Sequence, residues 1–330
     1  MRNASILAAA AVVLAASVAA CSSSNKDSGA DPSGGTTKVG ALSNGAAKEV
    51  SLTVSTVASI RAELPQAARD KGTLVIGLGF LPSGSPPLGY VGTDQRTLTG
   101  SEPDLGRLVA AVLGLKPQLS NATWDNLFVG IDSSKTDVGI SNITDTEQRK
   151  QKYDFACYRQ DNLGFEVAKS SSWNFDGNYE SLAGKTVAVS SGTNQEKILL
   201  EWQRKLQAEG KTLTIKHYPE LNSTYLALNS GKIDANFAPN PEIAYHSAQD
   251  ASSPNPTRNA GKYSGAGATL QGLICATTKK GDGLVKPLAD AINYLIKNGQ
   301  YAKWLGAWNL ANEAVPTAQI NPAGLPLSNS

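Results

Sequence analysis

The sequence predicts an α/β fold with mainly parallel sheets, built as two successive series of strands and helices. Three observations carry that expectation. Short continuous apolar runs such as Thr73 to Gly79, TLVIGLG, read as strands buried on both faces. Helical stretches with marked starts and stops alternate with them, as in SEPDLGRLVAAVLG and LVKPLADAINYLIKNG. The chain of 330 residues is long enough for two substantial cores.

Taken in order, Met1-Arg2-Asn3 is a basic start and Ala4 to Val18 an alanine-rich apolar run, too short for a comfortable membrane span and suited to a signal-peptide core. Small residues then lead into Cys21, a pattern similar to a bacterial lipobox. It implies cleavage after residue 20 and acylation of Cys21, which would anchor the chain to a bilayer. Residues 21–48 are rich in Ser and Gly and poor in large apolar side chains, so they are expected to form a flexible tether.

A lead-in helical segment interrupted near Pro65 precedes the first strand. The loop from Phe80 to Gly100 carries too many Pro and Gly residues for an element, and its length suggests a role. Ser101 is placed as the N-cap of a helix ending at Gly114, with Glu102 and Asp104 facing its positive end. Trp124 opens a further helix.

The second series starts at Leu182 with TVAVS, the SSGTN loop and the helix QEKILLEWQRKLQAEG. LTIKHY, STYLALNSG and KIDANFAPN come next, the last read as a strand entering a polar loop. GLICATTKKG, a long amphipathic helix and GQYAKWLGAW complete the pattern, and the proline-bearing tail is read as irregular.

The stretch with the most chemistry runs from Lys135 to Arg149. A strand, Asp137 to Ile140, opens into Ser141-Asn142-Ile143-Thr144, and a turn delivers Arg149. Polar groups at a strand's carboxyl end followed by an arginine suit a carboxylate, because the guanidinium offers a planar fork of donors. FVGIDSSKTDVGISN is echoed by YLALNSGKIDANFAPN: helix, turn, Lys-x-Asp, strand, polar loop. Each half would then offer one loop to a shared cleft.

Other chemistries lack their residues. A net charge of +2 and 6% aromatics give no nucleic-acid surface. The two histidines, His217 and His246, lie on separate elements and are read as exposed. No zinc, EF-hand, nucleotide-binding or G-x-S-x-G motif appears, so neither a metal site nor a cofactor is expected. Cys157 and Cys275 could pair in an oxidising compartment, but their spacing does not say whether they meet.

From Lys71 to about Leu310 the chain resembles the extracytoplasmic solute-binding proteins of ABC importers, polar amino-acid group. The segments that carry the likeness are KGTLVIG, TGSEPDLGRLVAAVLG, WDNLFVGIDSSKTDVGISNITDTEQRKQKYDFA, LAGKTVAVSSGTNQEKIL, ALNSGKIDA and GQYAKWLGAWNL. The resemblance implies a type II periplasmic-binding-protein fold, two lobes joined by two crossover strands that trap a solute as the hinge closes. Lobe 1 would comprise residues 49–160 and 270–312, lobe 2 residues 161–269, with a tail over 313–330.

The same likeness gives roles. Arg149, behind Thr146, would clamp a solute carboxylate, helped by Asn142 and Thr144. Ser191, Gly192 and Thr193 would close over it from lobe 2, and Trp124 would face the solute. Two departures stand out. The acid expected after the Gly-x-x-Asp-Ala strand, where the solute's ammonium binds, is replaced by Asn240, and the aromatic before the paired prolines is Ser85, leaving Phe80 or Tyr90 to substitute.

The expected protein is therefore a monomeric, lipid-anchored binding protein, not an enzyme. It would pass a small carboxylate-bearing solute to an ABC permease, the solute being an amino acid, a derivative or a small organic anion. The alternatives are a cyclohexadienyl dehydratase-like lyase on the same scaffold, or an extracytoplasmic sensor.

Overall fold

The computed structural model describes residues 35–328. The signal peptide, Cys21 and the first part of the tether lie outside them.

Two lobes share one long strand. In lobe 1, Thr73–Leu78 runs parallel to Lys116–Asn121 on one side and to Val138–Gly139 on the other. In lobe 2, Thr186–Ala188 lies parallel between Thr214–Lys216 and Ala235–Pro239. The 16-residue strand Tyr153–Ala168 serves both. Its first half pairs antiparallel with Gly272–Lys279 as far as Asp161, and from Asn162 onward it pairs with Thr257–Ser264 and Ala235–Pro239. The chain returns through the turn between Ser264 and Gly272, so the hinge passes through Asp161.

Each lobe has its own core. Helix Ser101–Leu113 is buried along its whole length, with Asp104 paired to Arg107 and Glu102 to Arg159, and Trp304 and Trp308 pack against it with their indole N–H groups bonded to the Ser101 carbonyl and the Asp104 carboxylate. In lobe 2, Phe165 stacks on Phe237 with centroids 4.3 Å apart, beside Trp202 and Phe175. Each such ring contributes about 1.5–3 kcal/mol by leaving water.

The echoed segments fold alike. Ser134 and Gly231 both take left-handed backbone after their helices, with φ of 58° and 70°. The Asp137 carboxylate then accepts from the Val75 amide at 2.7 Å, and Asp234 accepts from the Thr186 amide at 2.7 Å. The Lys-x-Asp pattern thus staples each strand to its parallel neighbour.

Several expectations change. The tether does not extend to residue 48: Gly35–Val39 pairs antiparallel with Val50–Val54, and Val39 and Val54 are buried against lobe 1. Apolar side chains on one face of this small hairpin are enough to dock a stretch that composition alone reads as polar. Ser101 is the first helical residue, and Gly100, at φ 134°, occupies the cap position because the Leu88 carbonyl lies where a Cβ would go. The first loop holds a short hairpin, Tyr90–Val91 with Leu98–Thr99. The polar loop expected at Asn240 is a helix, Asn240–Gln249.

Cys157 and Cys275 sit directly opposite on adjacent strands and form a disulfide. Closing a loop of 118 residues contributes about 5 kcal/mol in chain-entropy terms.

Candidate functional site: an interlobe cleft

The lobe 1 wall is set by how one helix starts. Thr123 caps Trp124–Asp132 by accepting from the Asn126 amide, which fixes Trp124 at the first helical position, over Gly79. A Cβ at Gly79 would come within 3.2 Å of the indole, so glycine there lets the ring lie against the strand end. Phe128 meets Trp124 edge to face at 5.1 Å, and the Arg149 guanidinium lies over both rings, 5.3 Å from each centroid.

The lobe 2 wall is the Ser190 to Thr193 loop and the helix Asn194–Ala208, capped by Thr193. Gly192 has φ 74°, a left-handed turn that suits glycine. Its carbonyl accepts from Trp124 Nε1 and from Arg149 Nη2, both at 3.1 Å, so one oxygen holds the two jaws together. Arg149 Nη1 donates to the Thr144 carbonyl at 2.9 Å. Loss of hydration lowers the Arg149 pKa to about 10, Asp161 being the foremost charge opposing the shift.

Between the walls lies a cavity of about 420 Å³, lined from lobe 1 by Phe80, Trp124, Ser141 and Asn142 and from lobe 2 by Ser191, Thr193, His217, Glu220 and Glu242. A second cavity of about 350 Å³, containing Arg149, Gly192, Tyr153 and Lys197, adjoins it and shares Trp124, Asp125, Thr193 and Asn194.

Two acids that the sequence did not single out stand here. Glu242, in the first turn of Asn240–Gln249, is buried in the wall of the larger cavity and accepts a hydrogen bond from the Ser85 hydroxyl of the opposite lobe. Burial pushes its carboxyl up to about 7, Ser85 opposes that, and the nearby Glu166 adds to it. Asp161, at the hinge, accepts from the Thr144 hydroxyl of lobe 1 at 2.6 Å and the Asn194 amide of lobe 2 at 2.9 Å, and burial raises it to about 6. Glu242 had a signal: Asn-Pro-Glu, with proline early in a helix and an acid beside it, marks a helix start. Asp161 has none, because its role depends on the hinge.

The predicted residues divide. Phe80, Trp124, Asn142, Ser191 and Thr193 line the larger cavity, and Arg149 and Gly192 the smaller. Thr144 is buried behind the wall, its hydroxyl committed to Asp161, and Asn142 gives its side-chain oxygen to Arg159, which also binds Glu102 and Glu313. Asn240 faces away from the cleft, where its side chain accepts from Asn259. Of the histidines, His246 is not exposed as read: its Nδ1 meets buried Glu166 at 2.5 Å. The one grouping of three possible metal-ligating side chains among the described residues, Asp145 with Cys157 and Cys275, has both sulfurs in the disulfide.

Comparison with known proteins bears on this cleft. The profile of the bacterial extracellular solute-binding proteins, family 3, matches residues 79–311, which contain both jaws. The chain belongs to that family. Among relatives of this solute-binding protein, the L-cystine-binding protein TcyJ of Escherichia coli K12 is 29% identical over 244 residues, covering 72% of this chain and 85% of its own. The arginine-binding protein ArgT of Corynebacterium glutamicum is 26% identical over 268 residues, covering 80% and 83%.

Solved structures agree in fold. The amino acid ABC transporter substrate-binding protein AbpA of Streptococcus pneumoniae, bound to L-arginine, superimposes with a TM-score of 0.61 at 23% identity, covering 76% of this chain and all of its own. The ancestral amino acid-binding protein AncCDT-1, a precursor of cyclohexadienyl dehydratase, gives 0.60 at 23%, covering 73% and 97%. The two-lobed type II fold therefore holds for this chain. No helix among the described residues is long and apolar enough to cross a membrane.

Proposed function

We propose that this solute-binding protein captures a zwitterionic amino acid of the size of cystine or arginine and delivers it to an ABC permease. The observation that carries the proposal is the pairing of a half-buried cation, Arg149, with a buried acid, Glu242, in two adjoining cavities between the lobes. The solute's carboxylate would meet Arg149 and the amino end of helix Asn194–Ala208, its chain would lie along Trp124, and its ammonium would displace Ser85 from Glu242. Glu242 supplies the counter-charge that Asn240 does not. The names of the relatives support the solute class.

A thermal-shift screen over L-cystine, L-arginine, other amino acids, sulfonates and small carboxylates tests this. A solute at a hundred times its Kd contributes about 2.7 kcal/mol to stability. An amino acid is expected to raise Tm and Arg149→Ala to remove the rise; an unchanged rise in the variant overturns the carboxylate assignment.

The chain is further proposed to act as a monomer, anchored through acylated Cys21. Intact mass of natively purified protein should give a chain starting at Cys21 with a lipid adduct; an unmodified cysteine contradicts it.

A second reading, a lyase, draws on Glu242, whose carboxyl near neutrality suits a general acid. Release of the bound solute unchanged would exclude it.

A further inference from the structure

The segment after Glu313 does not simply trail off. It pairs with the lobe 1 half of the shared strand, Gln319 opposite Cys157 and Ile320 opposite Ala156, while Asn321 exchanges two hydrogen bonds with the Phe155 backbone. It then runs along the back of the loop that carries Arg149. Leu325 donates its amide to the Asp145 carbonyl and accepts from the Glu147 amide, a short bridge of backbone pairing. The Gly324 amide donates to the Glu147 carboxylate, and Lys150 donates to the Pro322 carbonyl.

The same few residues reach the other lobe. The Leu325 side chain is fully buried among the lobe 2 apolar residues, and Lys197, on helix Asn194–Ala208, donates to the Pro326 carbonyl. Lys197 and Arg149 line one cavity. The segment therefore touches the Arg149 loop from one lobe and the helix behind Thr193 from the other.

Contact at Gly324 is close: a Cβ there would lie 2.6 Å from the Asp145 carbonyl oxygen. Asp145 itself is fully buried, its carboxylate 3.4 Å from the Lys150 ammonium and accepting no well-formed hydrogen bond. The loop has bonds of its own, the Asp145 amide to the Leu273 carbonyl and the Arg149 and Lys150 amides to Thr146, and strap backbone adds the acceptor for the Glu147 amide and a donor to the Asp145 carbonyl.

We propose that the C-terminal segment, with Leu325 as its anchor, is a positioning element of the binding site. It holds the Asp145 to Arg149 loop in register for a carboxylate and ties it to the lobe 2 helix. The consequence for binding rests on the assignment of Arg149 given above; the consequence for the loop does not. Burying Leu325 in the opposite lobe makes the order of the loop depend on lobe 2, so the two jaws are set together.

The test uses the full chain without solute, and monitors hydrogen exchange in four forms: unchanged, Leu325→Asp, Leu325→Met and Gly324→Val. The two disruptive variants are expected to raise exchange of the Asp145 to Lys150 amides at least tenfold, while helix Val285–Lys297 in the lobe 1 core keeps its protection. Leu325→Met should restore the loop.

With L-cystine and L-arginine as probes, whichever stabilises the unchanged chain should bind Leu325→Asp at least tenfold more weakly and Leu325→Met normally. Unchanged exchange over Asp145 to Lys150 in Leu325→Asp overturns the proposal. So does loss of protection spread evenly through both lobes, which would make the segment a general stabiliser. Arg149→Ala separates the two ideas: it should abolish probe binding, so normal binding in that variant sinks the carboxylate assignment, while exchange in Leu325→Asp still decides the strap.

Discussion

The two jaws begin alike and end differently. Lys135 to Ile140 and Lys232 to Phe237 share a left-handed helix end, a Lys-x-Asp step and an aspartate stapled to the neighbouring strand through one amide. Beyond the strand, lobe 1 opens into the loop from Ser141 to Arg149, whereas lobe 2 turns at once into the helix Asn240–Gln249. The loop presents a cation, and the helix, by its first turn, presents an acid. One supersecondary unit therefore yields a positive end where its strand runs into a loop and a negative end where its strand runs into a helix.

The largest expected effect breaks the positive end. Arg149→Ala should weaken amino-acid binding at least a hundredfold in a calorimetric titration, since a charge-assisted pair in a closed cleft is lost. Binding within threefold of the unchanged chain would remove the asymmetry between the jaws.

The negative end should answer to pH. Glu242 is held near 7, above the ordinary glutamate value of 4.5, so between these values the folded chain keeps a proton that the unfolded chain has released. That contribution to stability is fully present below the ordinary value and is lost as pH rises through about 7, amounting to about 3 kcal/mol. Glu242→Gln should remove the loss, visible as a denaturation midpoint higher than the parent's at pH 8. Binding has the opposite slope: an ammonium needs the ionised acid, so Kd should rise about tenfold per unit below pH 7 and become flat in the Gln variant. A parent affinity independent of pH contradicts the role of Glu242.

The shared part can be tested by treating both staples alike. Asp137→Ala and Asp234→Ala each leave a strand-edge amide without its acceptor, at a cost of about 1–3 kcal/mol read from denaturant midpoints. The Asp137 change should cost slightly more, because Lys71 lies 2.8 Å from that carboxylate. A staple that costs nothing in one lobe would make the echo a coincidence of sequence.

Much of the fold is legible in the sequence because it is local. Apolar runs such as TLVIGLG and the Lys-x-Asp echo report burial and turn geometry within a few residues. The order of six family segments places Arg149, Trp124 and the Gly192 loop on opposing walls. The features that escape depend on distant partners. Residues 35–48 look like tether until Val39 meets the lobe 1 core. The long strand Tyr153–Ala168 joins the lobes, yet nothing in its sequence marks where the partner changes at Asp161.

Thr144 and Asn142 read as solute contacts in the sequence because they are polar and well placed. The fold spends the Thr144 hydroxyl on Asp161 and the Asn142 side-chain oxygen on Arg159, while Asn142 still lines the larger cavity. Glu242 escapes a sequence reading that seeks the acid at Asn240. Asn-Pro-Glu starts a helix, and that start turns the third residue toward the cleft while the first points away.

The central claim is that the solute lies across the two unlike jaws, carboxylate to Arg149 and ammonium to Glu242. A crystal structure with the amino acid that the thermal-shift screen selects tests it most directly. Carboxylate oxygens are expected about 3 Å from the Arg149 guanidinium and an ammonium about 3 Å from the Glu242 carboxylate, with Ser85 displaced. A solute bound with its carboxylate away from Arg149, or with Ser85 still on Glu242, would contradict it.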